Sequence, residues 1–319
     1  MDLLKWGRSP WGEWVLTHVS WSLFWASLFA GVLFFVAHAS YMLFSAHRKR
    51  ASAETDALEA QFKNLPAQIE RHGLAARLFH WVMAAAMFAL LLTAFLPIAG
   101  VKFAWVQWHW MAGLVLTVSI LYHVVHATFF LDFWSIWVGP KDIPELKAEL
   151  LREFGHDVPG PKSGKYPLGN RLYHLAIVFA GLGATVTGVL MIPRIRTGLI
   201  TRNPYYLSDV TWGITYVIHG LTGVGLVGLV IAHVYFAVRP EKWWITKAMI
   251  LGSITRRQYL EHHEPSRWVV TGERSSKTVF SRQAKSPTWP PVCQKSTVWP
   301  STNFCWRTYA MRPAIAFPV

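Results

Sequence analysis

Hydrophobic positions gather into five long runs, at about 14–44, 78–98, 108–130, 172–192 and 213–237. Each reaches or exceeds the ~20 residues that a helix needs to cross ~30 Å of hydrocarbon. The first is long enough to tilt or protrude. The second ends at Pro97, the fourth at Met191-Ile192-Pro193. Polar segments separate the runs. Residues 51–73 have a helical pattern. Residues 142–170 open as a short amphipathic helix and continue as turns. From 269 onward the chain loses its period and fills with Ser, Thr, Pro and Arg, which reads as a poorly structured extension. The expected fold class is an all-alpha integral membrane protein. A four-helix bundle (78–268) carries an extra N-terminal transmembrane helix (1–45), and a connector (46–77) joins them.

Composition supports a membrane setting. Hydrophobic residues make up 53% of the chain and charged residues only 15%, less charge than a soluble domain carries. Many of the 18 Trp lie at the ends of apolar runs, as in interfacial belts. The net charge of +14 does not argue for nucleic acid, because no basic patch with interleaved aromatics occupies a soluble domain. The partner expected of these cations is membrane lipid. Arg48, Lys49, Arg50, Lys63, Arg71, Arg77, Lys141, Lys147, Arg152, Lys162, Lys165, Arg171, Arg239, Lys242 and Lys247 fall on one side of the bundle. Lys5, Arg8, Lys102, Arg194, Arg196 and Arg202 fall on the other. The first side is therefore expected to be cytoplasmic, in a multi-pass inner-membrane protein with a periplasmic N-terminus and a cytoplasmic C-terminus. The first apolar run lacks the short core and small-residue cleavage site of a signal peptide.

The candidate chemistry lies in histidines near the ends of these runs. His219 and His233 share one helix, fourteen residues apart. They are separated by about 21 Å along the axis and within about 40° of one face. One helix could thus offer an axial ligand to each of two stacked haems. His109 matches His219 in depth. Both His80 and His123 match His233, and spacing does not choose between them. His126 and His174 share that depth, where they could line a quinone site, relay protons or simply pack. Arg77 precedes His80 by three and Arg171 precedes His174 by three, so each could reach a haem propionate or serve only topology and snorkelling. His18 and His38, on the first run, are not expected to be ligands. The only cysteines, Cys293 and Cys305, exclude a four-cysteine iron–sulfur cluster within the chain. There is no CxxCH or HExxH motif, and the GxGxxG spacing at Gly223, Gly225 and Gly228 lies inside an apolar run rather than in a strand-to-helix turn, so it is not of the Rossmann type.

The segments RLFHWVMAAAMFALLLTAF, WHWMAG, GKYPLGNRLYH, HGLTGVGLVGLVIAHVYFA and PEKWWITKAMILGSITRRQYLEHHEPSRW resemble the membrane cytochrome b (gamma) subunit of respiratory formate dehydrogenase, over roughly residues 70–268. The resemblance implies four core helices and two haem b groups. The cytoplasmic haem would use His80 and His233, the periplasmic haem His109 and His219. A menaquinone or ubiquinone would bind beside the cytoplasmic haem near His233, with His80, His123 and His174 as neighbours. Electrons would pass between this quinone and a periplasmic iron–sulfur subunit, itself attached to a molybdenum or tungsten catalytic subunit. The additional first helix, the extra histidines and the tail depart from that family. Two other readings compete: a stand-alone cytochrome b561-like reductase, and a haem-free anchor or transporter.

Overall fold

The computed structural model describes residues 2–44, 53–154, 156, 158, 162–198 and 200–270. Most of the expected tail, with Cys293 and Cys305, lies outside the described residues.

Among the described residues five helices are long and apolar enough to cross a membrane. They are α1 (Ser22–Phe44), α3 (Leu74–Phe95), α4 (Trp105–Phe130), α6 (Leu168–Met191) and α7 (Asp209–Val238). The 3-10 turn Ile192–Arg194 extends α6. All five apolar runs are helical, but the first helix begins later than the sequence pattern predicts. Trp14 to Trp21 do not enter it. Instead β1 (Leu4–Arg8) and β2 (Trp14–Val19) form an antiparallel hairpin. Val15 and Val19 lie on one face of β2 and are buried, while Trp14 is exposed. The fold is therefore mostly, not wholly, helical.

Local sequence sets the helix ends. Ser208 caps α7 by accepting a hydrogen bond from the Thr211 amide at 3.3 Å, and Asp209 in the first turn complements the helix dipole. At the other end Pro240 forces Arg239 into an extended conformation (ψ 135°) and stops the helix.

The membrane-length helices pack as two antiparallel hairpins, α3 with α4 and α6 with α7, and α4 also meets α6. Helix α1 and strand β2 lie against α7. A Cβ added at Gly213 would sit 2.2 Å from the Leu16 carbonyl, and one at Gly220 would sit 2.7 Å from Val19. Glycine at these positions lets the β-hairpin rest directly on α7. Large apolar side chains such as Leu33, Phe88, Val118, Phe179 and Leu221 are exposed, which suits helices surrounded by lipid.

The opposite end carries a small cap. It comprises α2 (Ala53–Gln61), β3 (Gln68–Glu70), α8 (Trp243–Leu251), β4 (Ser253–Thr255) and α9 (Arg256–His262). Strands β3 and β4 pair with Ile69 opposite Ile254. These two pack with Ala248, Tyr259 and Leu260 into the one hydrophobic cluster of fully buried residues described. Gly252 ends α8 with φ +93°, a conformation that favours glycine. The expected amphipathic helix is α5 (Ile143–Glu153). Arg267 reaches Glu145 of α5 at 2.7 Å and ties it to the cap.

Candidate functional site: paired histidines between the helices

Histidines from the core helices meet in pairs. His109 of α4 faces His219 of α7 toward the β-hairpin end, with ring centres 6.2 Å apart. His80 of α3 faces His233 of α7 toward the cap end, also at 6.2 Å. His123 of α4 and His174 of α6 form a third pair at 6.3 Å. The structure thus brings His80, not His123, to His233.

Two imidazoles on one metal have a definite spacing. Each bond is about 2.0 Å, and the ligating nitrogen lies about 1.1 Å from its ring centre, giving about 6.2 Å between centres. The first two pairs fit an iron held between them. Among the described residues no three or more His, Cys, Asp or Glu gather into a metal cluster. Two axial imidazoles suit an iron whose remaining ligands come from a porphyrin.

Hydrogen bonding at the first pair strengthens the fit. The Thr93 hydroxyl donates to the Ala89 carbonyl at 2.7 Å, so its oxygen accepts from His109 Nδ1 at 2.9 Å. Thr187 repeats the device. Its hydroxyl donates to Gly183 and its oxygen accepts from His219 Nδ1 at 3.0 Å. The Ala184 carbonyl lies 3.1 Å from the same nitrogen. Both rings therefore carry the proton on Nδ1 and keep the Nε2 lone pair for a metal. Gly188 makes room for His219, because a Cβ there would come within 3.3 Å of the ring.

The second pair is held by aromatic contacts. Tyr173 stacks on His233 with ring centres 4.8 Å apart, and Trp81 stands edge-on to His80 at 5.2 Å.

The third pair has the metal spacing but a different setting. Phe79 lies flat on His123 at 4.3 Å, and Trp137 stands against His174 at 6.3 Å. The helices that carry the two histidines touch each other, which leaves less room for a macrocycle. Each ring buries an Nδ1 that has no hydrogen-bond partner. His126 is layered between Tyr122 and Phe130, at 5.5 and 5.7 Å. His18 stacks on Trp21. His38 is buried and hydrogen-bonded to Tyr235 at 2.5 Å, far from the ligand role that sequence also withheld from it.

The two arginines part company. Arg171 binds Asp142 through both Nη atoms, at 3.0 and 2.7 Å, and also reaches the Trp137 carbonyl. Its charge is already matched, and the Asp142 carboxyl is held below its usual range chiefly by this hydrogen bond. Arg77 donates to the Ile250 carbonyl at 2.7 Å and has no carboxylate partner among the described residues, while each of the two arginines leaves a buried Nε without a hydrogen bond.

Sequence reasoning missed Thr93 and Thr187, which orient the ligands. It also missed the buried contact of Arg71 with His263 in the cap, at 2.8 Å. No local motif marks any of them, since each partner lies at least sixteen residues away.

Residues 71–252 match the family model described as prokaryotic cytochrome b561. Among curated proteins, none matches the chain.

Proposed function

The chain belongs to the prokaryotic cytochrome b561 family, and from that premise we propose a di-haem b cytochrome that moves electrons across the membrane to or from a quinone. A multi-pass bacterial membrane protein with a cytochrome b electron-transfer role is the common ground of the family and the five apolar helices. One observation carries the finer reading: α7 supplies a histidine to each of two facing pairs, and both pairs have ring centres 6.2 Å apart.

In this reading His109 and His219 hold one haem b and His80 and His233 the other. Each haem supplies a one-electron ferric–ferrous couple when bound. The chain orients the imidazoles, through Thr93 and Thr187 at one pair and through aromatic packing at the other. It also keeps the ligands among apolar side chains. The basic cap side is cytoplasmic by the positive-inside rule, and the β-hairpin side is periplasmic. The quinone binds beside the cytoplasmic pair. His123 and His174, with their unpartnered Nδ1 atoms, are the groups available to pass protons to it.

The electron partner on the periplasmic side is proposed to be an iron–sulfur subunit joined to a molybdenum or tungsten catalytic subunit, as the formate dehydrogenase resemblance implies. The family match supports a stand-alone b561-type cytochrome equally well. Purification from the native membrane separates the two: a copurifying iron–sulfur protein favours the complex, and its absence favours the stand-alone reductase. The haem reading itself is tested by a pyridine haemochrome assay with reduced-minus-oxidised spectra. Two b haems per chain are expected. A protein without haem would return the chain to the anchor or transporter reading.

A further inference from the structure

Arginines gather on the hairpin side, where the positive-inside rule makes cations scarce. Of the six lysines and arginines on that side, three line one cleft of about 480 Å³: Arg194, Arg196 and Arg202. Phe103 to Gln107, around the start of α4, form its other wall. Among the described residues none of the three arginines pairs with a carboxylate. Arg194 donates to the Pro204 carbonyl at 3.1 Å and lies over Trp212, 5.1 Å from its centre. Nε of Arg202 donates to the Arg194 carbonyl at 3.1 Å. These contacts fix two guanidinium groups and leave most of their five N–H donors unused. Arg196 is exposed and makes no hydrogen bond among the described residues.

The cleft adjoins the hairpin-side histidine pair. Trp105 lines it and is 42% exposed, so a molecule in the cleft can touch it. The ring of Trp105 also stands edge-on to His109, with centres 6.4 Å apart. His109 lies four residues further along α4, about 6 Å deeper. A group seated in the cleft is therefore one aromatic side chain away from a ligand of that pair.

We propose that this cleft docks the acidic surface of a one-electron redox protein, and that electrons pass there to or from the hairpin-side haem. The inference rests on the di-haem reading. Carboxylates of the partner meet Arg194, Arg196 and Arg202 through charge-assisted hydrogen bonds. The uncompensated positive charge speeds encounter with an acidic partner and rejects a basic one. One electron then passes between the partner's centre and the haem iron. One is oxidised as the other is reduced, and no bond forms or breaks. A phospholipid headgroup offers the same oxyanion chemistry, but the aromatic contact from the cleft to a haem ligand favours a redox partner.

The test uses plant-type [2Fe–2S] ferredoxin, a small acidic redox protein, as the probe. Oxidised ferredoxin is added to the purified full chain, and phenylglyoxal modification of each arginine is read by mass spectrometry. Arg196 and Arg202 should be protected at low salt and released at high salt. Stopped-flow reduction by pre-reduced ferredoxin is then followed in a His80→Ala background. That protein keeps only the hairpin-side haem, so the basic cap cannot take the electron first. Combining Arg196→Glu with Arg202→Glu should slow the bimolecular rate about tenfold at low salt, and by much less at high salt. Oxidation of the same reduced haem by the cation hexaamminecobalt(III) should quicken instead, which misfolding would not produce. Should the double variant lose its haem, Arg196→Gln carries the test in the same directions, because Arg196 makes no hydrogen bond that folding needs. Arginines that stay unprotected, or equal rates in all proteins, would overturn the inference. So would arginines already shielded by a phospholipid that detergent exchange removes, which would assign the cleft to a headgroup. A wild type without haem would overturn the parent reading instead, and the footprint reports docking apart from it.

Discussion

Thr187 accepts the Nδ1 proton of His219 at 3.0 Å, and this fixes a tautomer that the sequence alone leaves open. Thr93 does the same for His109 at 2.9 Å. A hydroxyl that donates to its own helix has only lone pairs left for the histidine. Removing it frees the ring to rotate and to shift its proton. Thr187→Val should weaken haem binding at this pair about 10–100-fold, the usual cost of losing a ligand's orienting partner. Thr187→Ser should restore it. Haem titration of the apoprotein measures both. An unchanged affinity in Thr187→Val would show that Thr187 does not orient a ligand.

The pairing of His80 with His233 separates two wirings that depth alone leaves equal. His80→Ala and His233→Ala should each retain one b haem of two. His123→Ala should retain both, since its ring faces His174 and Phe79 instead. Haem per chain in the three variants decides this. One haem in His123→Ala, with two in His80→Ala, would move the cap-side ligand to α4.

These two results mark how far the sequence reached. The five helices were legible because uninterrupted apolar runs can satisfy their backbone in lipid only as helices or closed barrels. The shared helix of His219 and His233 was legible because helix geometry is periodic. The partner of His233 was not, because several helices place histidines at one depth and only packing chooses among them. The β-hairpin was hidden for a different reason. Trp14 to Val19 is apolar enough to read as the start of a helix, yet it pairs as a strand with Leu4–Arg8 and lies on α7. Arg171 looked like Arg77 by spacing, and only the fold reveals that Asp142 already holds it.

The β-hairpin depends on a glycine. An alanine at Gly213 would place its Cβ 2.2 Å from the Leu16 carbonyl, which is backbone and cannot swing aside. Gly213→Ala should lift the hairpin at a cost of about 1–3 kcal/mol, the range for overpacking. Faster proteolysis within residues 4–19, with haem content unchanged, is the expected outcome. A hairpin as resistant as wild type would mean that α7 does not hold it through this contact.

The cap should loosen in acid, and the sign follows from His263. The residue is fully buried. Its Nδ1 donates to the Gly164 carbonyl at 2.6 Å, and its Nε2 accepts from Arg71, so the folded cap requires the neutral ring. Burial first, and Arg71 second, push its pKa down to about 3, against about 6.5 in an unfolded chain. Between those values the unfolded cap binds more protons. The contribution is whole above about pH 6.5 and is lost as pH falls toward 3, at up to about 1.4 kcal/mol per pH unit. His72 is shifted the same way, to about 3, and adds to the trend. Limited proteolysis of residues 243–268 should therefore quicken between pH 7.5 and pH 5. In His263→Asn, which cannot take up the proton, cutting should be faster at pH 7.5 and change less with pH. Equal pH dependence in the two proteins would remove His263 from the account.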